Sequence, residues 1–102
     1  MMKILLACSS GMSTSLLVKK MKEAAEKKGI DCEIWAVSQD KAQEEMKKAD
    51  ILLLGPQMRF LKYKLEETAK EIGIPVDVIE PIAYGRCDGE AVLDRVIEML
   101  KK

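Results

Sequence analysis

Four short apolar runs separated by amphipathic stretches of helical period constrain this chain's fold more than any other feature. The runs cover residues 4–7, 30–37, 51–54 and 76–79. The spacing predicts a first helix over 14–28, with Leu17, Met21, Ala24 and Ala25 at i, i+4, i+7 and i+8. Gly29 stands where the residue after a helix end belongs. In the second run, Cys32, Ile34 and Ala36 alternate with Glu33 and Trp35, which suits a strand at a sheet edge because it carries charge. Ser38 can cap a short helix in which Ala42, Met46 and Ala49 share a face. A third helix over 59–72 aligns Leu61, Leu65, Ala69 and Ile72 and is closed by Gly73 and Pro75. Pro81 opens a loop or short turn through Tyr84 and Gly85. Asp88 then caps a last helix with the stripe Val92, Val96, Ile97 and Leu100.

Strand and helix alternate throughout, as βαβαβαβα. That order calls for an open four-stranded parallel sheet with helices on both faces, an α/β three-layer sandwich. The simplest strand order is 2-1-3-4, by analogy with flavodoxin-like and other Rossmann-like sheets. Its topological switch point falls between strands one and three, where ligands collect at the carboxyl ends. Cys8 ends strand one and Gly55-Pro56-Gln57 follows strand three, so both lie at that point. No linker, repeat or low-complexity segment interrupts residues 1–102, which read as one domain.

The switch point carries chemistry. Residues 4–7 deliver Cys8 to the end of a buried strand, and Ser9, Ser10, Gly11, Met12, Ser13, Thr14 and Ser15 lead into Leu16-Leu17. A helix N-terminus beyond a tight loop offers unpaired backbone N–H groups and the positive end of its dipole, a pocket for an anion. The serine and threonine hydroxyls add donors, and Gly11 lets the backbone turn close to a ligand. The same field favours a thiolate over a thiol. The central expectation is therefore a cysteine that carries a phosphoryl group. Ser13 is also expected to cap the first helix, with Met12 and Leu17 as a hydrophobic staple.

Composition excludes several alternatives. Seventeen basic and 17 acidic side chains cancel, without runs of one sign, so no electrostatic case exists for nucleic acid or an anionic membrane surface. No apolar stretch approaches the length of a membrane span. Leu5-Leu-Ala-Cys8 resembles a lipoprotein cleavage site, but the apolar stretch before Cys8 is too short for a signal core. Three cysteines at unrelated spacings suggest thiols in a reducing cytoplasm rather than a disulfide frame. The sequence has no histidine, which removes Cys-His and Ser-His catalysis and most zinc sites; no metal and no cofactor are expected. Any phosphohistidine in the reaction belongs to a partner.

Three motifs in order, Cys8-Ser-Ser-Gly-Met-Ser-Thr-Ser15, Leu53-Leu-Gly-Pro-Gln57 and Tyr84-Gly-x-x-Asp-Gly89, resemble the IIB component of the lactose/cellobiose class of bacterial phosphotransferase systems. The resemblance spans essentially the whole chain. It implies a phosphotransferase of sugar transport whose cysteine accepts a phosphoryl group from a phosphohistidine of a IIA protein. The group then passes to a sugar, often a β-linked disaccharide such as cellobiose, bound by the membrane-embedded IIC protein. Carried onto this sequence, it makes Cys8 the phosphorylated residue and Ser9 to Ser15 the phosphate cradle. It also implies a cytoplasmic protein that meets the membrane through IIC without inserting into it.

Two other readings stay open. A low-molecular-weight cysteine phosphatase or arsenate reductase shares the strand-Cys-loop-helix pocket, but needs an arginine six residues after the cysteine, where Thr14 stands. A thiol redox or regulatory domain needs a resolving partner, and no Cys-x-x-Cys spacing exists. Gln57 reads as a helix-start residue or part of the pocket rim, and Tyr84 as packing or rim at the same end of the sheet. Cys32 reads as packing, and Cys87, in a polar turn, as an incidental exposed thiol.

Overall fold

The computed structural model describes the backbone of residues 1–8 and 11–100 and the side chains of 1–8 and 15–100. Its elements are β1 (Met2–Cys8), α1 (Gly11–Lys28), β2 (Cys32–Ser38), α2 (Gln39–Glu45), β3 (Ile51–Leu54), α3 (Lys62–Ile72), β4 (Val76–Val78), α4 (Pro81–Gly85) and α5 (Gly89–Leu100). Two 3₁₀ turns, Met46–Lys48 and Pro56–Leu61, lead into β3 and α3. The sheet is parallel throughout, in the order β2-β1-β3-β4, as expected from the alternation.

Successive strand residues point to opposite faces, and each face is closed by helices. On one face, Ile4, Leu6, Ile34, Ile51 and Leu53 pack under Leu17 and Met21 of α1 and Val92, Leu93 and Val96 of α5. On the other, Leu5, Ala7, Leu52, Leu54 and Val76 pack under Ala42 of α2, Met46, and Leu65 and Ala69 of α3. A fully buried leucine contributes about 1.5–3 kcal/mol over an exposed one, and six leucines and isoleucines of β1 and β3 are wholly enclosed. This is why the two central strands read as unbroken apolar runs. β2 lies at an edge as its charge suggested, but Trp35 is half-buried and packs on the second face rather than facing solvent.

Helix ends follow their local chemistry. Gly29 takes a φ of 68° and lets Ile30 N–H reach Ala25 O at 2.9 Å, closing α1; Gly73, with φ 91°, closes α3 through Ala69 O at 2.7 Å. The stretch from Pro81, expected as a loop or turn, winds into the five-residue α4, with proline at its first turn where its missing N–H costs nothing. The expected third helix divides, because the segment after Pro56 takes the tighter 3₁₀ form up to Leu61 before α3 begins. Among the described residues, no helix is long and apolar enough to cross a membrane.

Candidate functional site

Cys8 is the last residue of β1 and pairs with Ser38, the last residue of β2. On its other side the ladder outruns β3: Gly55 is extended (φ −60°, ψ 148°) and its N–H donates to the Ala7 carbonyl at 3.1 Å. The cysteine therefore stands between Ser38 and Gly55 at the carboxyl end of the sheet, at the switch point between β1 and β3. It is only 2% exposed. Neither apolar cluster formed among the described residues includes it.

Helix α1 begins at Gly11, earlier than the expected Thr14. Only residues 9 and 10 separate the end of β1 from the start of α1 in sequence, and a helix N-terminus leaves backbone amides unpaired. The earlier start overturns two local expectations. Ser13 lies inside the helix rather than capping it, and Met12, also inside, cannot staple to Leu17 from outside. Serine, threonine and glycine are weak helix formers, so the segment reads as a loop; the helix they enter is held down by the buried stripe beginning at Leu17. Ser9 and Ser10 lie outside the described residues, as do the side chains of Gly11, Met12, Ser13 and Thr14, so the expected cradle is described here only in its backbone from Gly11 onward. Ser15 is exposed on α1.

The two rim residues, read separately from sequence, meet in space. Gln57 is exposed in the turn after β3, and Tyr84 is half-buried in α4, packed on the face covered by α1 and α5. Gln57 Nε2 donates to the Tyr84 hydroxyl at 3.3 Å. Asp88 caps α5 as expected, its Oδ1 accepting the Ala91 N–H at 3.1 Å. Ser38 precedes α2 but makes no side-chain cap; its hydroxyl donates to Asp40 instead. That bond, with help from nearby backbone, holds the Asp40 carboxyl below its ordinary range. Sequence reading placed Ser38 only as a helix cap, although the shared ends of two parallel strands could have set it beside Cys8.

Cys8, Cys32 and Cys87 are all thiols. Cys32 is half-buried against the α1 face, as the packing reading expects; burial and then the nearby Asp31 carboxylate push its thiol up. Cys87 departs from expectation. It is half-buried and left-handed, with φ 51°. Its N–H donates to Tyr84 O at 3.2 Å while Asp88 N–H reaches Ala83 O at 2.9 Å, a helix-closing pattern in which glycine is the usual occupant. Among the described residues, no group of cysteine, aspartate and glutamate side chains could hold a metal ion.

Comparison with known proteins bears on the family and the fold. The family model for the lactose/cellobiose-specific IIB subunit of the PTS system matches residues 3–95. The oligo-β-mannoside-specific EIIB component of Bacillus subtilis (strain 168) is 56% identical over 100 residues, covering 98% of this chain and 97% of its own. The cellobiose-specific EIIB component of Lactococcus lactis subsp. lactis (strain IL1403) is 45% identical over 95 residues, 88% of each chain. Among solved structures, the lactose-specific IIB domain of the phosphoenolpyruvate:carbohydrate phosphotransferase system of Streptococcus pneumoniae superposes with a TM-score of 0.86 at 19% identity, covering 95% of both chains, which speaks for the fold.

Proposed function

Because the chain belongs to the lactose/cellobiose-specific IIB subunits of the phosphotransferase system, a family of sugar phosphotransferase components, we propose that Cys8 is the residue that carries the phosphoryl group. The observation that supports this reading is its position. Cys8 ends β1 at the sheet's switch point, with the N-terminus of α1 close behind it. The backbone amides opening α1, together with Ser9, Ser10, Gly11, Met12, Ser13, Thr14 and Ser15, form the phosphate cradle in this proposal.

IIB components work with IIA and IIC partners. The donor here is a phosphohistidine of a IIA protein, since this chain has no histidine of its own. The Cys8 sulfur attacks phosphorus, an S–P bond forms, and the N–P bond breaks with its electron pair left on the donor's imidazole. In the second transfer a sugar hydroxyl attacks phosphorus, an O–P bond forms, and the S–P electron pair returns to Cys8. The hydroxyl proton leaves to solvent or to a base on the sugar-bearing component. Such transfers need alignment and charge stabilisation more than covalent assistance. The acceptor is a β-linked oligosaccharide held by a membrane-embedded IIC protein, so this chain acts at the cytoplasmic face without entering the bilayer. Residues 1–102 constitute one phosphocarrier domain.

The test is mass spectrometry after incubation with a phosphorylated IIA-type protein. Phosphate is expected on Cys8, and Cys8→Ser should accept none while keeping the native circular dichroism. Transfer to that variant at the wild-type rate removes the assignment.

A further inference from the structure

The register places the Gln57 carboxamide beside the Cys8 side chain. Ile4 and Leu6 face the cluster covered by α1, and Cys8, two residues on, continues the same side. In β3, Ile51 and Leu53 face that cluster too, so Gly55 turns its missing side chain the same way. Ala7 pairs with Leu54, and Gly55 extends the ladder by one step, which sets Gly55 next to Cys8 at the strand spacing of about 4.8 Å. What occupies the space of the absent Gly55 side chain is the Gln57 carboxamide: a Cβ there would stand 3.0 Å from Oε1, 3.3 Å from Cδ and 3.4 Å from Nε2. The amide thus lies one strand over from the sulfur and on the same face.

Tyr84 fixes which way that amide turns. The Gln57 Nε2 gives one hydrogen to the Tyr84 oxygen at 3.3 Å and keeps a second to give. The tyrosine hydroxyl, having accepted, also keeps its own hydrogen as a donor, and its ring is anchored on the cluster of the α1 face. The bond therefore holds the amide with one neutral Gln57 donor left to give on the Cys8 side of the sheet end. A phosphoryl group on sulfur carries only acceptor oxygens, so donors are what its wall requires.

Resting on the reading of Cys8 as the phosphoryl carrier, we propose that Gln57 is a phosphoryl contact in the transfer reaction and that Tyr84 is the positioning residue that orients it. Neutral donors align the group without the tight hold of a guanidinium, which suits a site that must release phosphate to a second acceptor. Gly55 belongs to the device, because a Cβ there would crowd the amide and require it to give by a few tenths of an ångström.

The experiment follows phosphorylation of full-length protein by a phosphorylated IIA protein of the lactose/cellobiose class, with the phosphocysteine lifetime read in parallel. Gln57→Ala and Tyr84→Phe should each slow transfer roughly three- to ten-fold, the loss of one neutral hydrogen bond. The double variant should be no slower than Gln57→Ala alone, since the two act as a unit. Gln57→Glu keeps the shape, replaces donors with a carboxylate and should be slower than Gln57→Ala, an effect a merely steric rim would not produce. Gly55→Ala should slow transfer in the same direction, by no more than Gln57→Ala, with the amide still present. Gln57 is exposed, so its variants keep the test valid even if a Tyr84 variant fails to fold. Wild-type rates in the Gln57 variants overturn the contact while leaving phosphorylated Cys8 intact. Additive losses in the double variant overturn the pairing, and no phosphate on wild-type Cys8 overturns the underlying reading and this one with it.

Discussion

Gly89, the first residue of α5, lies directly on the backbone of Lys20 in α1: a Cβ built on it would stand 2.3 Å from the Lys20 carbonyl carbon and 2.4 Å from the Met21 nitrogen. Neither atom can move without moving α1, which carries the buried Leu17 and Met21. The close approach of two helices depends on the absence of one carbon atom, so this glycine of the third motif is structural.

Gly89→Ala should accordingly destabilise the protein by about 2–3 kcal/mol, the upper part of the overpacking range. For a domain near this size that is a fall in Tm of roughly 10 °C or more. Denaturant unfolding should show a lower midpoint at an unchanged slope. A variant within 0.5 °C of wild type shows that α5 can shift freely, contrary to this packing.

The neighbouring positions divide between gain and loss. Asp88→Ala removes the carboxylate that accepts the Ala91 N–H and should cost about 1 kcal/mol, most of which Asp88→Asn recovers. Cys87→Gly should stabilise, by up to about 1 kcal/mol, because glycine takes the left-handed conformation without the Cβ penalty. Thermal unfolding of the three variants orders them. A destabilised Cys87→Gly means the cysteine's partial burial outweighs its backbone strain.

Strand order and core were legible because they rest on periodicity. Residues 51–54 are apolar on both faces, and only a central parallel strand needs that. The stripes of α1 and α3 also emerged, since Leu17, Met21, Leu65 and Ala69 repeat at helical spacing and all are buried. The start of α1 did not emerge, because Gly11, Ser13 and Thr14 are poor helix formers and only tertiary packing carries the helix back to them. Short α4 has too few residues for a period to show. Relationships between distant residues stayed hidden for a different reason. The Gln57–Tyr84 bond and the Gly89–Lys20 contact span 27 and 69 positions (84 − 57; 89 − 20), and each becomes visible only when the strands are in register.

Cys32 offers a test of burial by pH. Its thiol is raised above the ordinary value by burial first and by the Asp31 carboxylate second. With the folded value above the unfolded one, this thiol's contribution to stability is complete below the unfolded pKa and is lost as pH rises through the folded one. Near pH 8, iodoacetamide should therefore label Cys32 more slowly in the native protein than in the denatured chain, read by peptide mass spectrometry. Equal rates in the two states contradict the packing of Cys32 against the α1 face.

The choice between carrier and phosphatase turns on one position. A cysteine phosphatase stabilises its transition state with a guanidinium inside the loop, whose planar fork matches two phosphoryl oxygens. Six residues after Cys8 this chain has Thr14, and its arginines, Arg59, Arg86 and Arg95, all follow β3 in sequence and are exposed. In the proposed carrier, the absence of that clamp leaves the S–P bond poorly activated toward water, so the phosphoryl group is kept for the sugar. The wild-type protein should release essentially no phosphate from p-nitrophenyl phosphate, while phosphocysteine formed from a IIA-type donor should decay slowly in buffer. Rapid release of inorganic phosphate that Cys8→Ser abolishes would instead mean that another group stands in for the missing arginine, and the carrier reading of Cys8 would give way to a hydrolytic one.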